Sequence, residues 1–192
     1  MKKINKKSLI LCGCCVLLCA FIIGFIILIV HRHNSPFQRP EQLTNSYMKS
    51  YIKEDSSVIN AIQYPFDDVL NSSQEQRYKE IMKKQYRNMK YTIEDQNIGE
   101  VDGQIIVHIT IFDFKDSYDR ANQYVQSHSS SFVKEDGSFD SEKAIDYKLG
   151  QLEDSREKID YSVTFHFFKD SDNRWVMSDL SSSDLEKING LF

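Results

Sequence analysis

Hydrophobic and polar residues follow three different rhythms along this chain. From Leu9 to Val30 there is no rhythm at all: 22 consecutive positions carry no charge, and twenty are apolar, with Gly13 and Gly24 the exceptions. At 1.5 Å per residue a helix of that length spans about 33 Å, enough to cross a hydrocarbon core of about 30 Å. Residues 31–40 (HRHNSPFQRP) have two prolines and no period, and read as a juxtamembrane linker. From Glu41 a helical period sets in. Leu43, Tyr47 and Tyr51 fall at i, i+4, i+8, and Val58, Ile59 and Ile62 make a second apolar face before Pro65. Ser72-x-x-Glu75 is a capping box for a helix over about 74–88, with Tyr78, Ile81, Met82 and Tyr86 as its inward stripe.

The period then switches to two. Met89, Tyr91 and Ile93 alternate with Lys90, Thr92 and Glu94, as in a half-buried strand. Asp102-Gly103 has the residue types of a tight hairpin turn. The return strand, Gln104 to Phe114, sets Ile105, Val107, Ile109 and Ile111 against Ile106, His108, Thr110 and Phe112. Helical spacing returns over about 117–128 and 141–157, the second with Asp140 as N-cap and Ile145, Leu149 and Leu152 along one side. Ser127 to Ser138 reads as a loop. Alternation resumes from Tyr161 to Phe168, the turn Asp170-Ser-Asp-Asn173 leads to Arg174-Trp-Val-Met177, and Ser183-x-x-Glu186 caps a last helix holding Leu185 and Ile188. The expected fold class is α+β: one N-terminal transmembrane helix, then a four-stranded antiparallel sheet packed against helices. The expected domains are a basic tip (1–8), the span (9–30), the linker (31–40) and one domain over 41–192.

Charge orients this arrangement. The chain carries 24 Lys+Arg against 28 Asp+Glu, a formal charge of −4. Lys2, Lys3, Lys6 and Lys7 all precede the apolar run, so beyond residue 30 the balance is 20 to 28, or −8. Positive residues before the span and only Arg32 and Arg39 soon after it put the N-terminus in the cytoplasm and the domain outside. A cleaved signal peptide would have an apolar core of about 7–15 residues and a small-residue cleavage site; this run is longer and has no Ala-x-Ala. All four cysteines (Cys12, Cys14, Cys15, Cys19) lie in the run. Leu11-Cys12-Gly13-Cys14 resembles a lipoprotein cleavage box, although only Ser8 to Leu11 precede it. Small apolar residues in a spanning helix is the plainer reading of these cysteines, and lipidation of Cys14 stays open. With no cysteine past Cys19, the domain has no internal disulfide or thiolate zinc site, which suits a bacterial envelope better than a secreted eukaryotic module.

Tyr86-Arg-Asn-Met-Lys-Tyr-Thr-Ile93 passing from helix to strand, the long strand from Gln104, and Trp175-Val-Met-Ser-Asp-Leu-Ser before the terminal helix carry a resemblance. Their order over 41–192 resembles the nuclear transport factor 2-like (cystatin-like) superfamily, particularly the extracytoplasmic domains of uncharacterised Gram-positive membrane-anchored proteins and lipoproteins. The resemblance implies a curved sheet wrapped around N-terminal helices as a cone. Isomerases and dehydratases of such folds use a His or Asp inside the cone, but their motif is absent here.

Few chemical motifs are present. The five glycines past residue 30 form no phosphate-binding loop, and neither G-x-S-x-G nor H-E-x-x-H occurs. Asp170-x-Asp172 begins like a calcium loop, but Arg174 and Trp175 stand where further ligands and a glycine belong. His31-x-His33 lacks other metal ligands. His108 and His166 form the one weak candidate site. Each lies on the more polar face of its strand, beside Thr110 and Thr164, and the two rings could face one another if the strands pair. Asp113, five residues from His108, projects from the opposite face. No catalytic residue, cofactor or metal is assigned. The tyrosines Tyr47, Tyr51, Tyr78, Tyr86, Tyr91 and Tyr161 are expected to fill the core, with a pocket for an apolar or aromatic ligand as the other reading.

The charge of −8 disfavours nucleic acid and a domain lying flat on anionic lipid. Lys83, Lys84, Arg87 and Lys90 sit beside Glu75 and Glu80 as a solvated helix face. The expected function is therefore a non-enzymatic, single-pass, extracytoplasmic binding protein that meets a protein or peptide partner at the envelope. Its alternatives are a structural or assembly subunit of a secretion or conjugation machine, which would oligomerise, and a hydrolase- or isomerase-like enzyme using His108 and His166.

Overall fold

A computed structural model of the chain describes residues 38–62, 64 and 69–192. The apolar run with its cysteines, the linker as far as residue 37, and Pro65 lie outside the described residues. No helix among the described residues is long and apolar enough to cross a membrane. Residues 39–192 form a compact unit of their own.

The elements are α1 (Pro40–Ile52), α2 (Ser56–Asn60), α3 (Ser72–Asn88), β1 (Lys90–Ile98), β2 (Asp102–Phe112), α4 (Phe114–Ser127), a 3₁₀ turn (Ser129–Ser131), α5 (Ser141–Asp154), β3 (Lys158–Lys169), β4 (Trp175–Met177) and α6 (Ser182–Asn189). The expected order of helices and strands is found. The four strands make one antiparallel sheet in the order β1-β2-β3-β4. β2 and β3 are its middle strands although two helices separate them in the chain.

Local boundaries differ from the sequence reading for identifiable reasons. Pro40 is the first residue of α1, where its missing N–H costs nothing, and so leaves the linker. The cap of α3 is Asn71, not Ser72. Its side-chain carbonyl accepts from the Gln74 N–H, and the Gln74 side chain accepts from the Asn71 N–H. Likewise Ser181, not Ser183, caps α6, receiving the Asp184 N–H. The first hairpin turns at Gly99–Val101, where the Gly99 N–H donates to the Asp102 carbonyl at 2.8 Å. Asp102-Gly103 is already strand. A side chain at Gly103 would press on Ile98 and the Asn97 carbonyl, so the glycine serves close packing across the pair. Asn173 does take a positive φ of 60°, in the expected turn.

One sheet face carries the core. Ile105, Val107, Ile109 and Ile111 of β2 are fully buried with Val163 and Phe165 of β3. They pack against Met48 of α1, Tyr78, Ile81, Met82 and Tyr86 of α3, and Ile188 of α6. Ile145, Leu149 and Leu152 of α5 are buried as the spacing expects. A small satellite cluster of Val125, Phe132 and Ala144 closes the far end of the α4–α5 hairpin.

Candidate functional site

The other sheet face is solvated and holds both histidines. Alternation from Gln104 to Thr110 on β2, and from Asp160 to His166 on β3, points every second side chain away from the core. The histidines do share this face. The register, however, sets His108 opposite Ser162 and His166 opposite Gln104. Four residues of strand, roughly 13 Å, lie between them, so the facing pair of imidazoles does not form. Packing on the buried face decides this. Ile105 lies opposite Phe165, Val107 opposite Val163 and Ile109 opposite Tyr161, and the four-residue slide needed to join the histidines would undo every one of those pairs.

The companion of His108 is not His166 but a carboxylate on the neighbouring strand. The His108 Nε2 lies 3.6 Å from Asp160 Oδ1, and that oxygen also accepts the Thr110 hydroxyl at 2.6 Å. Ser162 donates to Glu94 Oε2 at 3.2 Å across β2. Asp113 instead caps α4 by accepting the Asp116 N–H. His166 stands exposed beside a shallow depression of about 300 Å³ formed with Asn97, Asp102 and Gln104. Among the described residues no group of three His, Cys, Asp or Glu side chains could hold a metal. The His108 and Asp160 side chains are 41% and 60% exposed, so water screens the pair. Replacing His108 by asparagine is expected to change unfolding free energy by less than about 0.5 kcal/mol, read from denaturant midpoints. A loss above about 2 kcal/mol would show that this face is structural.

The tyrosines form the more enclosed feature. Tyr51 of α1, Tyr78, Met82 and Tyr86 of α3, and Leu185 and Asn189 of α6 surround a cavity of about 350 Å³. The Tyr51 and Tyr86 rings meet edge to face at 5.0 Å, as do those of Tyr64 and Tyr78. The Tyr47 and Tyr51 hydroxyls are 3.1 Å apart, and the Tyr86 hydroxyl donates to Asn189 Oδ1 at 2.9 Å. The volume and the aromatic walls suit a small apolar or aromatic guest. Spacing placed Tyr47, Tyr51, Tyr78 and Tyr86 inward correctly. It missed the wall from α6, because Leu185 and Asn189 come from the far end of the chain and join only in the tertiary fold.

Burial, before any neighbour, pushes the hydroxyls of Tyr47, Tyr51, Tyr78 and Tyr86 above their ordinary value of 10.0. A raised value in the folded state favours the neutral ring. The resulting stability is complete below pH 10 and is lost as pH rises above it, by up to about 1.4 kcal/mol per pH unit for each such tyrosine. Tyrosinate absorbance and unfolding are therefore expected to rise together above about pH 10. Ionisation of all ten tyrosines near pH 10 in a chain that stays folded would contradict the burial.

No protein-family model matches the sequence, and a search of curated proteins found no match. Among solved structures the chain is similar to ycdA of Bacillus subtilis, described as a “putative lipoprotein”, with 13% identity and a TM-score of 0.42. The similarity covers 83% of this chain and 50% of that one, so the chain spans half the length of the solved protein it matches.

Proposed function

We propose that this chain is a membrane-anchored, extracytoplasmic interaction protein of a bacterial envelope, held by residues 9–30 and binding a protein or peptide partner through its domain. The observation that carries the partner reading is the solvated sheet face. Gln104, His108 and Thr110 of β2 and Asp160, Ser162, Thr164 and His166 of β3 are exposed or half-buried there. They offer hydrogen-bond donors and acceptors on two rigid central strands. Its histidines stand apart, His166 exposed and His108 half-buried beside Asp160, an arrangement suited to contact more than to proton transfer between them. The nuclear transport factor 2-like reading belongs to the same proposal. It is supported by the packing of the N-terminal helices α1 and α3 on the buried face of the antiparallel sheet.

Two measurements in intact cells test the reading. Glu135→Cys, on an exposed loop, is expected to react with a membrane-impermeant maleimide before lysis; labelling only after lysis would reverse the topology. A photo-crosslinking residue at Thr164 is expected to yield a discrete heavier adduct that the same residue at Gln126, exposed on α4, does not. Identical adducts from both positions, or none from Thr164, would sink the role of this face.

A further inference from the structure

The tyrosine-walled cavity lies on the helical side of the domain, away from the solvated sheet face. Among the described residues no strand residue lines it. Its floor is buried: Tyr78, Met82 and Tyr86 of α3 are at most 3% exposed. Its mouth is on α6, where Ser182, Leu185 and Glu186 recur at helical spacing, line the cavity and are exposed. The cavity therefore runs from solvent down to the core.

One polar group on the floor is unclaimed. The Tyr47 and Tyr51 hydroxyls bond each other and the Tyr86 hydroxyl bonds Asn189. The Tyr78 hydroxyl has no hydrogen-bond partner among the described residues. Every side-chain oxygen or nitrogen that is sealed in among those residues does have one. The Tyr78 oxygen is therefore not sealed in, although the residue is only 2% exposed. It opens on space that its own side chain lines: this cavity, and an adjoining one of about 460 Å³ that also has Ile62 and Tyr64 in its wall.

Volume, wall and charge together define what fits. An apolar cavity of about 150 Å³ holds one benzene ring, so about 350 Å³ has room for two fused rings. Water fills such a space poorly, because each molecule needs two to four polar partners and most of this wall is ring or aliphatic surface. The ring pairs Tyr51–Tyr86 and Tyr64–Tyr78 stand edge to face at 89° and 90°. Ring quadrupoles favour that arrangement, and an aromatic guest extends it. Glu186 at the mouth is the one acidic residue in the lining, and no lysine, arginine or histidine accompanies it among the described residues. An anion would be repelled at the entrance, and either charge would lose its hydration at a floor that offers no counter-charge.

We propose that this cavity is a binding site for a small uncharged aromatic molecule, about two fused rings in size, that offers one oxygen or nitrogen to the Tyr78 hydroxyl. The site goes beyond the anchored partner reading. Neither residues 9–30 nor the solvated sheet face takes part in it, so either reading can fail without the other.

The test titrates 2-naphthol into the full chain held in lipid nanodiscs, followed by calorimetry, with empty nanodiscs as the blank. One saturable site with a Kd of about 100 µM or tighter is expected. The anionic counterpart 2-naphthoate should bind more weakly by about tenfold or more. Tyr78→Phe keeps the ring and removes the hydroxyl. It is expected to weaken 2-naphthol about fivefold, the worth of one hydrogen bond, and to leave naphthalene unchanged. Leu185→Trp fills the exposed mouth and should abolish binding of both, with its urea midpoint as the check on folding. Absence of saturable binding would mean that protein or water fills the cavity, and would overturn the site. Undiminished binding by folded Leu185→Trp would place the guest elsewhere and overturn it as well. If Leu185→Trp does not fold, the Tyr78→Phe comparison decides: equal effects on 2-naphthol and naphthalene would overturn the role of the hydroxyl. Equal affinity for 2-naphthoate would overturn the exclusion of charge.

Discussion

Gln85→Leu is expected to lower the stability of the domain by about 3 kcal/mol, although it replaces a polar side chain with an apolar one of similar size in a fully buried position. The amide works as a three-way joint. Its Oε1 accepts the Phe112 N–H at 2.9 Å, and its Nε2 donates to the Phe112 carbonyl at 2.8 Å and the Asn189 carbonyl at 3.2 Å. One side chain thus ties α3 to the end of β2 and to the end of α6. Leucine would fill the space and leave those backbone groups buried with nothing in place of the amide, each costing about 1–3 kcal/mol. Urea unfolding of the detergent-solubilised full chain measures the effect. A change below about 1 kcal/mol would mean that water or backbone adjustment replaces the joint.

The second large effect is expected at Gly190, which closes the same joint from the other side. Its φ is +73°, and a methyl group there would run into Gln85 Nε2 and the Phe112 carbonyl oxygen. The glutamine can swing away, but the carbonyl belongs to the strand backbone. Gly190→Ala should therefore cost about 3 kcal/mol or more, of which the left-handed backbone accounts for about 1. Gly137 isolates that smaller part, since it has φ +82° with open space around it. Its alanine variant should lose only about 1 kcal/mol. Because Gln85 and Gly190 share one contact, the double variant Gln85→Leu/Gly190→Ala should cost clearly less than the sum of the singles. Strict additivity in the same urea series would show that the two act separately.

Gln85 also shows what a hydrophobicity pattern leaves out. The stripe Tyr78, Ile81, Met82, Tyr86 was legible because apolar residues recur at helical spacing. The glutamine lies between two of them in sequence, and nothing in its chemistry marks it as inward until the end of β2 arrives to be bonded. The buried faces of β2 and α5 were legible for the same reason as the stripe. Caps and turns were legible only approximately, because Asn71 and Ser72 are both good caps, as are Ser181 and Ser183. The choice between them depends on where packing starts the helix. The histidine site was the least legible part. Face is a property of one strand, so placing His108 and His166 together on the polar side was within reach. Register is a property of two strands, and it brought Asp160 to His108 in place of His166.

The central strand pair also governs how the domain can be assembled in time. Every β2–β3 rung joins residues far apart in the chain, from 46 positions at Phe112–Lys158 to 66 at Asp102–Phe168. Contacts of that separation form late and slowly, whereas the β1–β2 hairpin and the α4–α5 hairpin can form from local contacts alone. A chain emerging from its N-terminal end therefore completes β2 well before β3 exists to cover its inner edge. During that interval Ile105, Val107, Ile109 and Ile111 are a flat, β-branched strand with open hydrogen bonds, the kind of segment most prone to pair with the wrong chain. Folding of this domain is thus a race between the arrival of β3 and aggregation at β2.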